Sequence, residues 1–503
     1  MILRIMDLFS LLVNSVFFLL FVLFVSSMWL KKKRYSSLPP GPSPWPLLGT
    51  PQYVIKGSAT RHYPELCKKY GSVFTVWKLT EPVVVLCGYE TVKDALVTHS
   101  EQFSARPHNP VIHMFSKGYS FGTENGQLWR HLRRFMLTSL RNFGMGKKSM
   151  EDRVLNEAQY LLAVISETKG VPFMLRQHIA CTITNIISTI LYGKRYDYRD
   201  KELLDLTETI RKHLSNFQSK FHQLCNIFPF LLYIPAIRNH VFHSSLYLQS
   251  FLKKEIKLHK QTLNTNTCRD FMDYFLLKIK EEGPDSGSYL CDTGLLMITM
   301  GLLAAGTDTI SNSLTYSVVC MAHFPDVQAK VQKEIDEVTG SLRPAGMMDK
   351  AQMPYTNAVI HETQRFLNLV TEGIGHAVTM DTQFHGFTIP KGTTIISFFS
   401  SVLNDPTQWE TPDEFNPGHF LDDKGQFQTR PAFMAFSAGK RVCLGENLAR
   451  MELFLLFCSL LQRFTFSFAP GNKPHSVKSL RENKFMFISS SQLCAIPRNS
   501  SSN

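Results

Sequence analysis

The sequence predicts one large, mostly α-helical domain with a small β region, set behind a single N-terminal transmembrane helix. Three observations carry this. Residues 8–30 (LFSLLVNSVFFLLFVLFVSSMWL) contain no charge, a run long enough to cross a bilayer as a helix. From 150 to 280 and from 292 to 324 the pattern is helical, while alternation is confined to short stretches near 72–89 and 373–400. No Ser/Gly-rich linker, composition shift or internal repeat divides residues 50–495, so the 503 residues are read as one domain rather than the several their length allows. At 44% hydrophobic and 12% aromatic residues, such a domain can bury a large core.

The elements follow in order. Lys31-Lys32-Lys33-Arg34 comes directly after the apolar run and outweighs Arg4 on its other side. The positive-inside rule then places the rest of the chain in the cytosol, and the run is too long for a usual signal-peptide core. Residues 1–34 are therefore read as an uncleaved anchor. Leu38-Pro39-Pro40-Gly41-Pro42-Ser43-Pro44-Trp45-Pro46 is stiff and extended, so residues 35–50 read as a hinge holding the domain of residues 51–503 against the membrane face. Helices at 60–70 and 90–100 flank two strands, SVFTVWKL and PVVVLCGY. The helical stretch 150–280 breaks at Asn226-Ile227-Phe228-Pro229. A helix from Asp292 to Phe324 stops before Pro325 and, at about 1.5 Å per residue, crosses the whole domain. Its first half, LLMITMGLLAA, is apolar all round and should be buried. A second motif-bearing helix spans 355–369, residues 373–400 form short strands, and a last helix begins at Leu444.

Charge and cysteines narrow the class. The net charge of +13 is spread along the chain with no nucleic-acid module, which suits an anionic membrane or an acidic protein partner. Ten cysteines without a CxxC pair read as free thiols in a reducing compartment. His361-Glu362 opens a zinc-protease-like motif, but Arg365 stands where the second histidine must be, which excludes zinc there.

Cys443 is the candidate reactive sulfur. A thiolate needs nearby positive charge, and Arg441, Lys440 and the free N–H groups of the following helix are placed to supply it. Gly439 and Gly445 let the backbone turn sharply and lie close to a flat group. In the long helix, Ala305-Gly306-Thr307-Asp308-Thr309 sets a helix-weakening glycine beside a buried acid. Gly306 is expected to loosen the ladder. Thr309 can bond back to a carbonyl or turn to a ligand, and Asp308 can relay protons from solvent. Trp129 and Arg133 share one helical face. Glu362 and Arg365 likewise share a face. Arg130 and Arg134, with Lys440 and Arg141, form a candidate basic surface for an acidic redox partner.

Phe436-x-x-Gly439-x-Arg441-x-Cys443-x-Gly445 resembles the thiolate loop of the cytochromes P450, and the resemblance extends over nearly the whole chain, most like the vertebrate microsomal family 2. It implies the P450 fold and a haem b (iron protoporphyrin IX) with Cys443 as axial iron ligand. Asp308 and Thr309 match the oxygen-activation pair. Trp129, Arg133, Arg106, His376 and Arg441 match the contacts to the haem propionates. Glu362 and Arg365 match a buried structural pair, with His419 where many relatives carry Arg. Ala305, Thr309, Val370 and Ile374 fall at substrate-pocket positions. The chain departs from family 2 at Thr371, Gly375 and Ala435, where prolines are usual, and this leaves substrate preference open.

The implied activity is a membrane-bound haem-thiolate monooxygenase inserting one oxygen atom from O2 into an apolar small molecule: fatty acid, steroid or foreign compound. The sequence has no GxGxxG after a strand, no ferredoxin-type cysteine cluster and no flavin-like domain, and Gly144-Met145-Gly146-Lys147-Lys148-Ser149 lacks the first glycine of a P-loop. Electrons are therefore expected from outside. The resemblance implies NADPH-cytochrome P450 reductase, with cytochrome b5 as a further donor, at the endoplasmic reticulum membrane facing the cytosol. The rival readings are a reductase-independent haem-thiolate isomerase and a non-catalytic haem-binding protein.

Overall fold

The computed structural model describes Asn14, Ser15, Phe18 and residues 35–498, except 55–58, 144–147, 218, 283–288, 341–342 and 472–475. The expected anchor, apart from those three residues, lies outside the described residues, as does most of the glycine-rich 144–149 stretch.

The molecule is built around the helix Asp292–His323, which packs against the helices Leu175–Tyr192, Pro354–Leu367 and Glu446–Arg463. Its apolar half is buried in the largest core cluster. Among the described residues it is the one helix long and apolar enough to cross a membrane, but its position in the core accounts for that composition. Several of its buried hydroxyls, cut off from water, bond back along the helix: Ser311 to Thr307 O, Ser313 to Thr309 O, Thr315 to Ser311 O and Ser317 to Ser313 O; the exposed Thr309 bonds back to Ala305 O in the same way. The helix is unbroken through Gly306, contrary to the expected loosening. A Cβ there would stand 3.0 Å from Ile187 Cδ1, so this glycine serves close helix packing.

The helical region breaks where expected, at Phe228, followed by one tight turn over Pro229–Tyr233. The helix expected at 90–100 is Tyr89–Lys93 running into a π-helical turn, Asp94–Thr98. The motif-bearing helix covers Pro354–Leu367, and the last long helix begins at Glu446 rather than Leu444.

The predicted strands form a four-stranded sheet in the order Val73–Lys78, Glu81–Leu86, Thr394–Ser397, His376–Ala377, with the middle pair parallel. Thr382–Phe384 and Phe387–Ile389 make a separate hairpin. A second sheet was not anticipated: Phe464–Phe468 and Gln492–Pro497 pair antiparallel, with Phe173–Met174 at the far edge. The alternation Phe464-Thr465-Phe466-Ser467-Phe468 carried that signal.

The proline-rich segment is docked on the domain rather than left as a free hinge. Pro40 O accepts Thr75 N–H at 2.9 Å, and Pro39 O accepts the Thr75 hydroxyl at 2.8 Å. A Cβ on Gly41 would fall 1.9 Å from Thr75 O, so only glycine allows this approach.

Glu362 and Arg365 are fully buried. Arg365 Nε and Nη2 meet the two Glu362 oxygens, each at 2.7 Å. Its remaining N–H groups donate to Leu403 O, Pro412 O and Glu414 O at 2.7–2.9 Å, which satisfies all five donors. Glu362 also accepts Asn416 N–H at 2.8 Å and His419 Nδ1 at 3.2 Å. His419 Nε2 accepts Thr411 N–H, so the ring proton sits on Nδ1 and points at Glu362. His419 thus fills the third place assigned to it from sequence. Arg365→Met strands the Glu362 carboxylate in the core and should destabilise the protein by about 3–5 kcal/mol. Chemical denaturation of the purified protein measures this; a midpoint equal to wild type would remove the pair from its structural role.

Candidate active site

The segment 436–445 is a tight loop held at both ends. Cys443 N–H donates to Phe436 O at 2.9 Å and Val442 N–H to Gly439 O at 3.1 Å. Gly439 has φ +68°, and a Cβ there would stand 1.7 Å from Leu96 O. That glycine is required by close approach to the π-helical turn, a protein contact the sequence did not reveal. Gly445 precedes the helix Glu446–Arg463, and a Cβ on it would meet nothing within 4 Å.

Cys443 is accessible to solvent, yet protein surrounds it closely enough that burial pushes its thiol up. A Gly445 backbone hydrogen bond and the Arg133 guanidinium act against that rise, while Glu446 adds to it. The expected partners Lys440 and Arg441 are directed elsewhere. Lys440 pairs with Glu101. Arg441 lies 3.8 Å over the Trp129 ring and donates to Ser104 O and Glu124 O. The cation acting on the sulfur is Arg133, whose Nη2 also donates to Val442 O at 2.7 Å.

Around this loop stand three guanidiniums. Arg106 and Arg441 are buried, at 8% and 7% exposure, and Arg133 is half-buried. Arg106 donates to Gly122 O, Ile374 O and Gly375 O. Burial and Arg133 push Arg106 down to about 10; burial, Arg106 and Arg133 push Arg441 down to about 9. None of the three forms an ion pair with a carboxylate among the described residues. Asn125 links two of these residues: its Oδ1 accepts the Arg106 backbone N–H at 2.7 Å and Arg441 Nη2 at 3.1 Å. Sequence reading missed Asn125. Its place just before the helix Gly126–Asn142 suggests a cap, but its side chain caps nothing there. His376 joins the group, with Nδ1 donating to Phe103 O at 2.7 Å. Burial and then Arg106 push it down to about 3, so the ring is neutral.

A second set of residues lies on the long helix. Ala305 and Thr309 are open to solvent in the middle of an otherwise buried helix. Thr309 Oγ1 donates to Ala305 O at 2.8 Å. Asp308 is not free: Arg176 Nη2 meets its Oδ1 at 2.7 Å, and Asn312 Nδ2 donates to its Oδ2 at 2.9 Å. Burial nevertheless pushes its carboxyl up, against Arg176. Neither Arg176 nor Asn312 stood out in the sequence. Val370 and Ile374 are exposed, and Ile374 is tied to the guanidinium group through Arg106. Arg133 and Trp129 therefore touch the Cys443 loop directly, through Val442 O and through Arg441, which belongs to it; Arg106 joins through Asn125, shared with Arg441, and His376 is held on Phe103 O. Among the described residues no hydrogen bond or ion pair links Asp308, Thr309, Ala305 or Val370 to the loop. The expected basic surface is partly neutralised, because Arg130, like Lys440, faces Glu101.

The residues fit a haem. A sulfur ligand stands beside an open glycine, and three cations lacking carboxylate partners match a group bearing two propionates. Known proteins agree. The cytochrome P450 family profile matches residues 39–493. Cytochrome P450 2C38 of Mus musculus is 42% identical over 443 residues, covering 88% of this chain and 90% of the relative. Cytochrome P450 2C8 of Homo sapiens is 40% identical over 472 residues, covering 94% and 96%. Cytochrome P450 2F2 of Mus musculus is 43% identical over 429 residues, covering 85% and 87%. With that coverage and that site, the chain belongs to the cytochrome P450 family and is a haem-thiolate monooxygenase with haem b as cofactor.

Proposed function

We propose that the protein is a membrane-bound monooxygenase that places one oxygen atom from O2 on an apolar small molecule, with electrons from an NADPH-dependent reductase. The observation carrying this reading is the accessible Cys443 sulfur with Arg133 acting on it, beside a cluster of Arg106, Arg133 and Arg441 that forms no ion pair with a carboxylate among the described residues. Bound haem with a thiolate ligand supplies oxygen activation, because thiolate electron density favours O–O cleavage.

The chain's own residues prepare and gate that chemistry. Arg133 and the Gly445 N–H hold charge at Cys443. Arg106, Arg133 and Arg441 would take the propionates, each charged hydrogen bond being worth about 1.5–3 kcal/mol. His376 keeps Nε2 for the same purpose, and an anion there would favour its imidazolium and reverse the present depression. Trp129 backs Arg441 by cation–π contact. Thr309 stands ready to exchange its bond to Ala305 O for one to a ligand or water. Asp308 is tied to Arg176, so a proton relay through its carboxylate requires that ion pair to open. Ala305, Val370 and Ile374 present apolar surface to the substrate.

Membrane attachment rests on the uncharged run 8–30 with its basic flank, and on exposed Trp45, Leu47 and Leu48 just beyond it. Likeness to family 2 cytochromes P450 supports a place at the endoplasmic reticulum membrane; an NADPH-dependent reductase, with cytochrome b5 as a further donor, is the electron source this reading calls for. Fatty acid, steroid and foreign compound remain the substrate classes an apolar wall admits.

The reduced carbon-monoxide difference spectrum tests the ligand. Wild type should give a thiolate-type Soret band that Cys443→Ala abolishes; an unchanged band in the variant would sink the assignment. With reductase present, Thr309→Ala should consume NADPH while releasing peroxide in place of product. Tight coupling in that variant would count against Thr309. Peroxide rearrangement without NADPH, and no reductase-supported hydroxylation, would favour the isomerase instead.

A further inference from the structure

A half-buried lysine lies outside the haem-binding group. Lys484 opens the short helix Lys484–Ser490, and its Nζ donates to Leu367 O and Asn368 O, each at 2.6 Å. The Thr371 hydroxyl stands 3.5 Å away and itself donates to Asn368 O at 3.2 Å. Lys484 makes no ion pair with a carboxylate among the described residues; Arg481 beside it pairs with Asp413. Burial, with Arg481, pushes the Lys484 ammonium down to about 7, so the carbonyls are what hold its charge.

Those carbonyls end the helix Pro354–Leu367, where Asn368 turns left-handed with φ 44°. Helix C-terminal carbonyls lack internal partners and carry negative partial charge, which an ammonium satisfies. The chain then runs directly into Val370–Gly375, where Val370 is 44% and Ile374 60% exposed. This segment is fastened at both ends. Arg106 holds Ile374 O and Gly375 O at its far end, and Ser400 N–H bonds Thr371 O within it. Lys484 fastens the near end. The stretch carries Thr371 and Gly375 where a stiffer chain would carry prolines, and a proline would limit its freedom without any outside bond.

We propose that Lys484 is a positioning residue for substrate selection: by fastening the 367–371 turn it sets where Val370 and Ile374 stand in the substrate wall. The inference rests on the monooxygenase reading, since it needs that wall to face a ligand on the iron. A cap that served only helix stability would affect all ligands alike. A device that positions the wall acts on ligands large enough to touch it.

Two azoles that bind iron through the same imidazole nitrogen separate these cases. Full-length protein is titrated with imidazole and with clotrimazole, and the Soret shift gives each Kd. Lys484→Met should weaken clotrimazole on the order of tenfold, about 1.4 kcal/mol, through lost preorganisation of the wall. Imidazole should stay within about twofold, and Lys484→Arg should restore clotrimazole binding. Equal changes for both azoles, no change, or tighter clotrimazole binding would overturn the proposal. Should Lys484→Met fail to give a thiolate-type carbon-monoxide spectrum, Lys484→Gln, which keeps one donor group, decides by the same comparison. Failure of both azoles to shift the wild-type Soret band would instead count against the monooxygenase reading itself.

Discussion

The buried Glu362–Arg365 pair is the constraint on which the rest of the molecule depends. A buried ion pair is weak evidence for stability, because desolvation offsets much of its attraction. Here its meaning is geometric. Arg365 ends on the carbonyls of Leu403, Pro412 and Glu414, and Glu362 on Asn416 N–H and His419. Replacing both residues with apolar ones would leave those backbone groups without partners. The pair therefore fixes an irregular segment that has no ladder of its own, and that segment leads through residues 417–435 to the Cys443 loop. His419 serves as a neutral donor, so the network gains a hydrogen bond without a second buried cation.

The loop is then fastened a second time, by guanidiniums. Arg133 reaches Val442 O, and Arg441 reaches Ser104 O and Asn125 Oδ1, which also accepts the Arg106 backbone N–H. These cations repel one another, and each is lowered by burial. Carbonyls offset only part of that cost, since a dipole neutralises no charge. A dianionic ligand would relieve both the burial and the repulsion, and this links the folding energetics of the site to its cofactor.

Much of this was legible in the sequence because the signals are local. Helical patterning gave Asp292–His323 nearly to the residue, since a buried helix must be apolar and Pro325 must end it. Alternation gave the main sheet, and the Cys443 spacing gave the loop. What escaped was long-range or depended on what each side chain faces. Gly439 was rightly singled out but for the wrong neighbour, because Leu96 lies far away in sequence. Gly306 read as a weak point, yet Ile187 makes it a packing contact. Lys440 and Arg441 are near Cys443 in sequence but not in function, because Glu101 and Trp129 draw them away. Asn125, Arg176, Asn312 and Lys484 carry no motif, and only the folded chain gives them partners.

The two walls of the site are built on different principles. The cysteine wall is overdetermined: a glycine pressed on Leu96, the guanidiniums of Arg133 and Arg441, and backbone bonds at both ends of the loop. Small shifts there would break several contacts at once, so its geometry is held to a narrow range. Ala305, Thr309, Val370 and Ile374, the wall proposed for substrate, are exposed without comparable packing over them. Side chains with few contacts can be exchanged at little cost to stability. On the proposed function, thiolate chemistry and substrate choice would thereby be separated within one site. Thr371 and Gly375 lie in the half-buried stretch that carries Val370 and Ile374, and Ser400 and Arg106 hold its backbone, so a change there would act through the position of those two side chains.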